Sequence, residues 1–138
     1  MRDLSGMLAS VLRDFVATPV HEMVTRLVLA DVGRLDDVAL LDPRLAVCVD
    51  VDEPRILLRV AENVTVLDPT LDDQEIIVEV ASHLQDRVMD ELNRPWPETG
   101  VGAPRVLEPF LGPDRTAVWG DSCSGTPFCR VGALQEHR

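Results

Sequence analysis

Lysine and tyrosine are missing from this chain altogether: its 13 basic residues are all Arg, and its aromatic residues are three Phe and two Trp. The Arg residues run singly from Arg2 to Arg138. No segment therefore carries the clustered positive charge that binds nucleic-acid phosphate. The bias of a GC-rich genome accounts for Arg in place of Lys. No apolar run approaches the roughly 18 residues of a transmembrane helix. Asp3, Arg13 and Asp14 break up the N-terminal apolar blocks that a secretory signal needs intact. These absences predict a soluble, cytoplasmic protein with neither nucleic acid nor membrane as partner. Glycine-rich phosphate loops and dinucleotide fingerprints are also missing, so no cofactor is expected.

What the chain has in excess is acid. Its 24 Asp and Glu residues give a net charge of −11, which keeps a small protein soluble and suits a basic partner. Hydrophobic residues make up 46% of the 138, enough apolar surface for one packed core. Three cysteines are an odd count. Cys48 lies within an apolar strand pattern and reads as a small buried hydrophobe. Cys123 and Cys129 are open to a local disulfide or to half of a metal site, although a stable disulfide is not the default in the cytosol.

Leu4, Leu8, Val11, Leu12 and Phe15 recur at helical spacing and predict a helix over residues 4–16. Thr18 and Pro19, as N-cap and first helical residue, open a second helix with the stripe Val20, Val24, Leu27 and Val28, closed at Gly33. A strand over 23–32 is the alternative there, because Val and Thr are frequent. Residues 45–50 and 55–60 read as an antiparallel hairpin turned at Val51-Asp52-Glu53-Pro54, where Pro54 has no N–H to donate to a ladder. Residues 63–67 form a third strand, with Val64 and Val66 on one face. LDDQEIIVEVASHLQDRVMDEL is a long helix capped by Asp72 or Asp73. Ile77, Val80, Ala81, Leu84, Val88 and Leu92 make its apolar face, and Pro95 ends it.

Between residues 98 and 113 there are three Gly and three Pro, which predicts an irregular segment. A minor hairpin of residues 116–119 and 128–131 follows, around GDSCSGTP. The expected fold is α+β: N-terminal helices, a small antiparallel sheet of a hairpin plus a third strand, one long covering helix, and an irregular tail. Residues 1–97 make the core domain and 98–138 the tail.

The candidates for chemistry are few. His21-Glu22 opens a metalloprotease-like HExx pattern, but Thr25 stands where the second His is needed four residues on. Gly120-Asp121-Ser122 is shared with serine hydrolases, yet a nucleophile elbow needs Gly at position 124, which is Ser. A general base for Ser122 would come from His83 or a terminal His. Two acidic clusters, Asp50-Asp52-Glu53 and Asp68-Asp72-Asp73, offer oxygen ligands for a hard cation, but turn and capping chemistry already accounts for them. No catalytic, cofactor or metal residue is therefore assigned. Trp96, Trp119 and Phe110 are candidate partner contacts, since large aromatics dominate binding hot spots. Anchoring the tail is the other role open to the two Trp residues.

The segment LQDRVMDELNRPWPE, followed by AVW, resembles a family of small uncharacterised acidic proteins of GC-rich bacteria, in which a helix ends in Trp-Pro and a short strand carries Trp. The likeness covers residues 84–119. Where that pattern has Cys, this chain has Glu98-Thr99-Gly100, and no His follows until His137. The resemblance implies no activity. Size, acidity and element order are also similar to type III secretion chaperones, which are homodimers that hold a partner chain. The function expected is a non-enzymatic interaction module: an accessory or structural subunit, or a chaperone-like adaptor, in a larger bacterial or phage-type assembly. It would bind a protein partner or another copy of itself. The alternative is a small serine- or metal-dependent hydrolase.

Overall fold

The computed structural model describes residues 3–22, 27–32, 55–60, 63–68, 70–98 and 106–137. The chain is α+β, and it divides into two units: residues 23–71, and the segments 1–22 and 72–138 taken together. This division sets the N-terminal helices with the C-terminal half of the chain, whereas the sequence suggested a boundary at Pro97.

The smaller unit is a three-stranded antiparallel sheet. β1 (Leu27–Val32), β2 (Arg55–Val60) and β3 (Asn63–Leu67) lie in that order. β2 is central, with Leu58 opposite both Leu29 and Thr65, and Ile56 opposite Leu67. Ile56, Leu58 and Val60 alternate along β2 and share a buried face with Leu29 and Leu67. One expectation changes here. Residues 27–32 are a strand, the alternative weighed for them, and not a helix: their mainly apolar run fits either, and the ladder to β2 decides. On β3, Leu67 is buried opposite Ile56, while Val66 is 48% exposed. Both edges of β2 are occupied by β1 and β3; the expected partner at 45–50 lies outside the described residues, as do Gly33 and Cys48.

In the larger unit, α1 (Leu4–Leu12) begins at Asp3, whose carboxylate accepts the Gly6 N–H at 2.9 Å. A 3-10 turn, Arg13–Phe15, continues it. Thr18 Oγ donates to the Phe15 carbonyl at 2.6 Å, and α2 (Pro19–Glu22) is one short turn. α3 (Asp73–Leu92) spans 20 residues. Asp72 and Glu75 close a reciprocal capping box at its start, and Asn93, in the left-handed region at φ 53°, ends it before Pro95. Its buried face is Ile76, Val80, Ala81, Leu84, Gln85 and Val88. Ile76, not Ile77, is the inward residue of that pair, and Leu92 is only half-buried. Each aliphatic side chain so buried contributes about 1.5–3 kcal/mol.

Past the cis Trp96–Pro97 peptide, residues expected to be irregular carry a full meander: β4 (Glu108–Leu111), β5 (Ala117–Asp121) and β6 (Thr126–Arg130), antiparallel in that order. β5 and β6 are the hairpin read from the sequence, and β4 adds a strand the Gly and Pro content concealed. Pro109 is tolerated because β4 lies at the sheet edge. α3 packs on β4 and β5, and α1 and α2 pack on α3. Gln85 ties these layers, donating from Nε2 to the Trp96 carbonyl at 3.0 Å and the Leu107 carbonyl at 2.6 Å.

Candidate interaction face of the C-terminal sheet

β5 presents two different faces. Trp119 and its cross-strand neighbour Cys129 turn inward. Trp119 is 0% and Trp96 6% exposed, and both stack around Phe15: ring centroids lie 4.7 Å apart for Phe15–Trp96, 6.1 Å for Phe15–Trp119 and 5.9 Å for the two indoles. These are favourable tilted and edge-to-face separations. The two Trp residues therefore lie in the core of this unit, packed with Phe15 and not on its surface.

Asp14 sits against this cluster, fully buried. Its carboxylate accepts hydrogen bonds from Trp119 Nε1 at 2.7 Å, the Gly132 N–H at 2.6 Å and the Leu134 N–H at 2.9 Å. Burial pushes its pKa up, opposed by those three donors and by Arg13. Burial, with Asp14 and Glu136 nearby, also raises the Cys129 thiol to about 11, so it is an inert core thiol. Both cysteines in this region are free, Cys123 exposed and Cys129 buried.

The outer face begins with Phe110, half-buried and opposite Val118. A register shift follows between Trp119 and Gly120: Trp119 faces Cys129, but Gly120 faces Pro127, leaving Phe128 as the extra residue of a bulge. Strict alternation from the inward Cys129 would turn Pro127 inward as well. The bulge breaks that alternation, and both Pro127 and Phe128 are exposed, Phe128 by 41%. Two open clefts flank this pair. One, of about 230 Å³, is lined by Val106, Leu107, Gly120 and Thr126, and the other, of about 470 Å³, by Pro113, Thr116, Val118 and Arg130.

Gly120 lies between strands that the bulge draws together. A Cβ there would meet the Thr126 carbonyl, Pro127 Cα at 2.9 Å and Phe110 Cε1 at 3.0 Å. The rim is acidic. Asp114 and Asp121 line the clefts, and Glu108 stands opposite Gly120 in the ladder. Hydrogen bonds from Thr116 and the charge of Arg130 hold Asp114 below its usual pKa. Asp121 accepts the Cys123 N–H at 3.0 Å, shaping the turn.

The residues weighed for chemistry are dispersed or already paired. Ser122 Oγ donates to the Glu108 carboxylate, so its neighbour is an acid, not an imidazole. His83 pairs with Glu79 one turn back at 3.9 Å, and His21 is exposed at the end of α2. Asp68 accepts from the Thr70 N–H and hydroxyl, and Asp72 caps α3 and meets Arg115 at 3.0 Å. The cluster at Asp50 lies outside the described residues. Among the described residues, no three His, Cys, Asp or Glu gather as a metal site, and no helix is long and apolar enough to cross a membrane.

Sequence reasoning did not single out Asp14, Gln85 or Phe128. Asp14 and Gln85 had a signal: each falls on an apolar stripe at helical spacing, between Val11 and Phe15 and between Ala81 and Val88. The exposure of Pro127 beside Phe128 had none, since a bulge depends on the partner strand. Known protein families, curated proteins and solved structures give no match to this chain.

Proposed function

We propose that this protein is a non-enzymatic interaction module, an accessory subunit or adaptor that holds another protein. The observation that carries this reading is the outer face of β4–β5–β6, where the bulge brings Pro127 to the surface beside the exposed Phe128, between two clefts. An exposed aromatic with apolar neighbours and a polar rim is the usual anatomy of a binding surface. Pairing of Ser122 with Glu108, and of His83 with Glu79, supports it against a hydrolase, whose serine needs a base within hydrogen-bond reach. Affinity capture with the full chain from its native host, followed by reconstitution with the purified partner, tests the reading. A stoichiometric complex is the expected result; a chain that remains a lone monomer and captures nothing would overturn it.

A further inference from the structure

We infer that the outer face of the C-terminal sheet docks a cationic segment of another protein, anchored by apolar side chains in the clefts beside Phe128. This rests on the interaction reading above and names the chemistry of the partner.

Two features of the face set that chemistry. The first is its apolar centre. Pro127 and Phe128 line both clefts, with Val106 on one side and Val118 on the other. Val106 is 37% exposed and Phe128 41%, so covering them removes apolar surface from water at about 25 cal/mol per Å². The smaller cleft, about 230 Å³, falls below the roughly 300–1,000 Å³ of small-molecule sites. Its size suits a side chain inserted from a partner.

The second feature is charge. Glu108, Asp114 and Asp121 border the apolar centre, and Arg130 is the basic residue among the lining groups. Arg130 lies on the Asp114 side of this rim and acts on that carboxylate. The whole chain adds a field of net charge −11. Such a surface speeds encounter with a basic segment and disfavours an acidic one, including a second copy of this chain. Apolar contacts then hold what the field has steered.

The test uses fluorescence anisotropy with the full chain and three labelled twelve-residue peptides: alternating leucine and arginine, serine and arginine, and leucine and glutamate. The leucine–arginine peptide is expected to bind, with the other two at least tenfold weaker. F128S is expected to weaken binding at least tenfold, as is E108Q/D114N, whose amides keep the Ser122 and Thr116 hydrogen bonds. D86N/D90N, on the exposed side of α3, should bind within twofold of the wild type. An equal loss in D86N/D90N would mean diffuse charge attraction and sink the proposal. So would an unchanged F128S, or no binding at all, with circular dichroism verifying that each variant is folded. A dimer that F128S dissociates would show that a second copy covers this face, which also overturns it. A native partner captured equally by wild type and F128S would leave the interaction reading standing and refute this face alone.

Discussion

The indole N–H of Trp119 donates to the carboxylate of Asp14 at 2.7 Å, across 105 positions of sequence. The same carboxylate takes the backbone N–H groups of Gly132 and Leu134, so one buried acid fastens the first helical segment to β5 and to the C-terminal 3-10 turn, Leu134–His137. Asp14→Ala would leave three donors without an acceptor inside the protein. Its expected cost is about 3 kcal/mol or more, since each buried unsatisfied group costs about 1–3 kcal/mol. Trp119→Phe keeps most of the ring packing and should cost about 1.5 kcal/mol. Urea denaturation of both variants and of the double variant measures the coupling, expected at about 1 kcal/mol or above. Strict additivity would show that the bond contributes nothing beyond packing.

Two carboxylates of this unit titrate in opposite senses. Asp72 is held below its usual 3.8, first by the Glu75 N–H and then by the Arg115 side chain. A lowered folded pKa gives stability that is present above 3.8 and lost as pH falls through the folded value. Asp14 is raised above 3.8, chiefly by desolvation. Its protonation stabilises the fold below 3.8, and that contribution fades as pH rises through the folded value. Melting temperatures from pH 2 to 7 check this. The gap between wild type and Asp72→Ala should be widest above pH 3.8 and close on acidification. The gap between wild type and Asp14→Asn should move the other way, growing in favour of the wild type toward low pH. Parallel curves for both variants would contradict the assignment.

The two free thiols among the described residues differ in reach. Cys123 lies exposed in the β5–β6 turn, whereas Cys129 is buried with its thiol raised to about 11. Alkylation needs the thiolate and access to it. Iodoacetamide at pH 8 followed by peptide mapping should label Cys123 within minutes. Cys129 should resist at least a hundredfold longer until urea unfolds the chain. Equal labelling in the native protein would mean that β6 is not packed as described.

Helix α3 was legible because its signals are local: Asp72 at the N-cap, a run of apolar residues at helical spacing, and Pro95 beyond the end. The β5–β6 hairpin was legible for the same reason, with Gly and Asp at its turn. What was lost depended on pairing at a distance. Residues 27–32 carry apolar side chains compatible with either helix or strand, and the ladder to β2 decides between them. β4 contains a proline and follows a Gly- and Pro-rich stretch, so only its edge position reveals it as a strand. The candidate face was least legible. Trp96 and Trp119 drew attention as large aromatics but lie inside, while Phe128 faces outward next to the inward Cys129, and a bulge opposite Gly120 brings Pro127 to the same surface.

That dependence makes Gly120 the most direct test of the face. A methyl group there would press on the Thr126 carbonyl and approach Pro127 Cα at 2.9 Å, both backbone atoms that cannot rotate away. Gly120→Ala must therefore push β5 and β6 apart at the bulge or shift their register. The expected cost is about 1–3 kcal/mol, the range for overpacking a fitted site, read from urea denaturation. Amide hydrogen exchange should show the loss of protection confined to Ala117–Asp121 and Thr126–Arg130, with α3 unchanged until global unfolding. Binding of the leucine–arginine peptide should fall along with that protection, because Pro127 owes its exposure to this bulge and lines both clefts. A variant as stable as the wild type, with peptide binding intact, would show that the close approach at Gly120 does not shape the face.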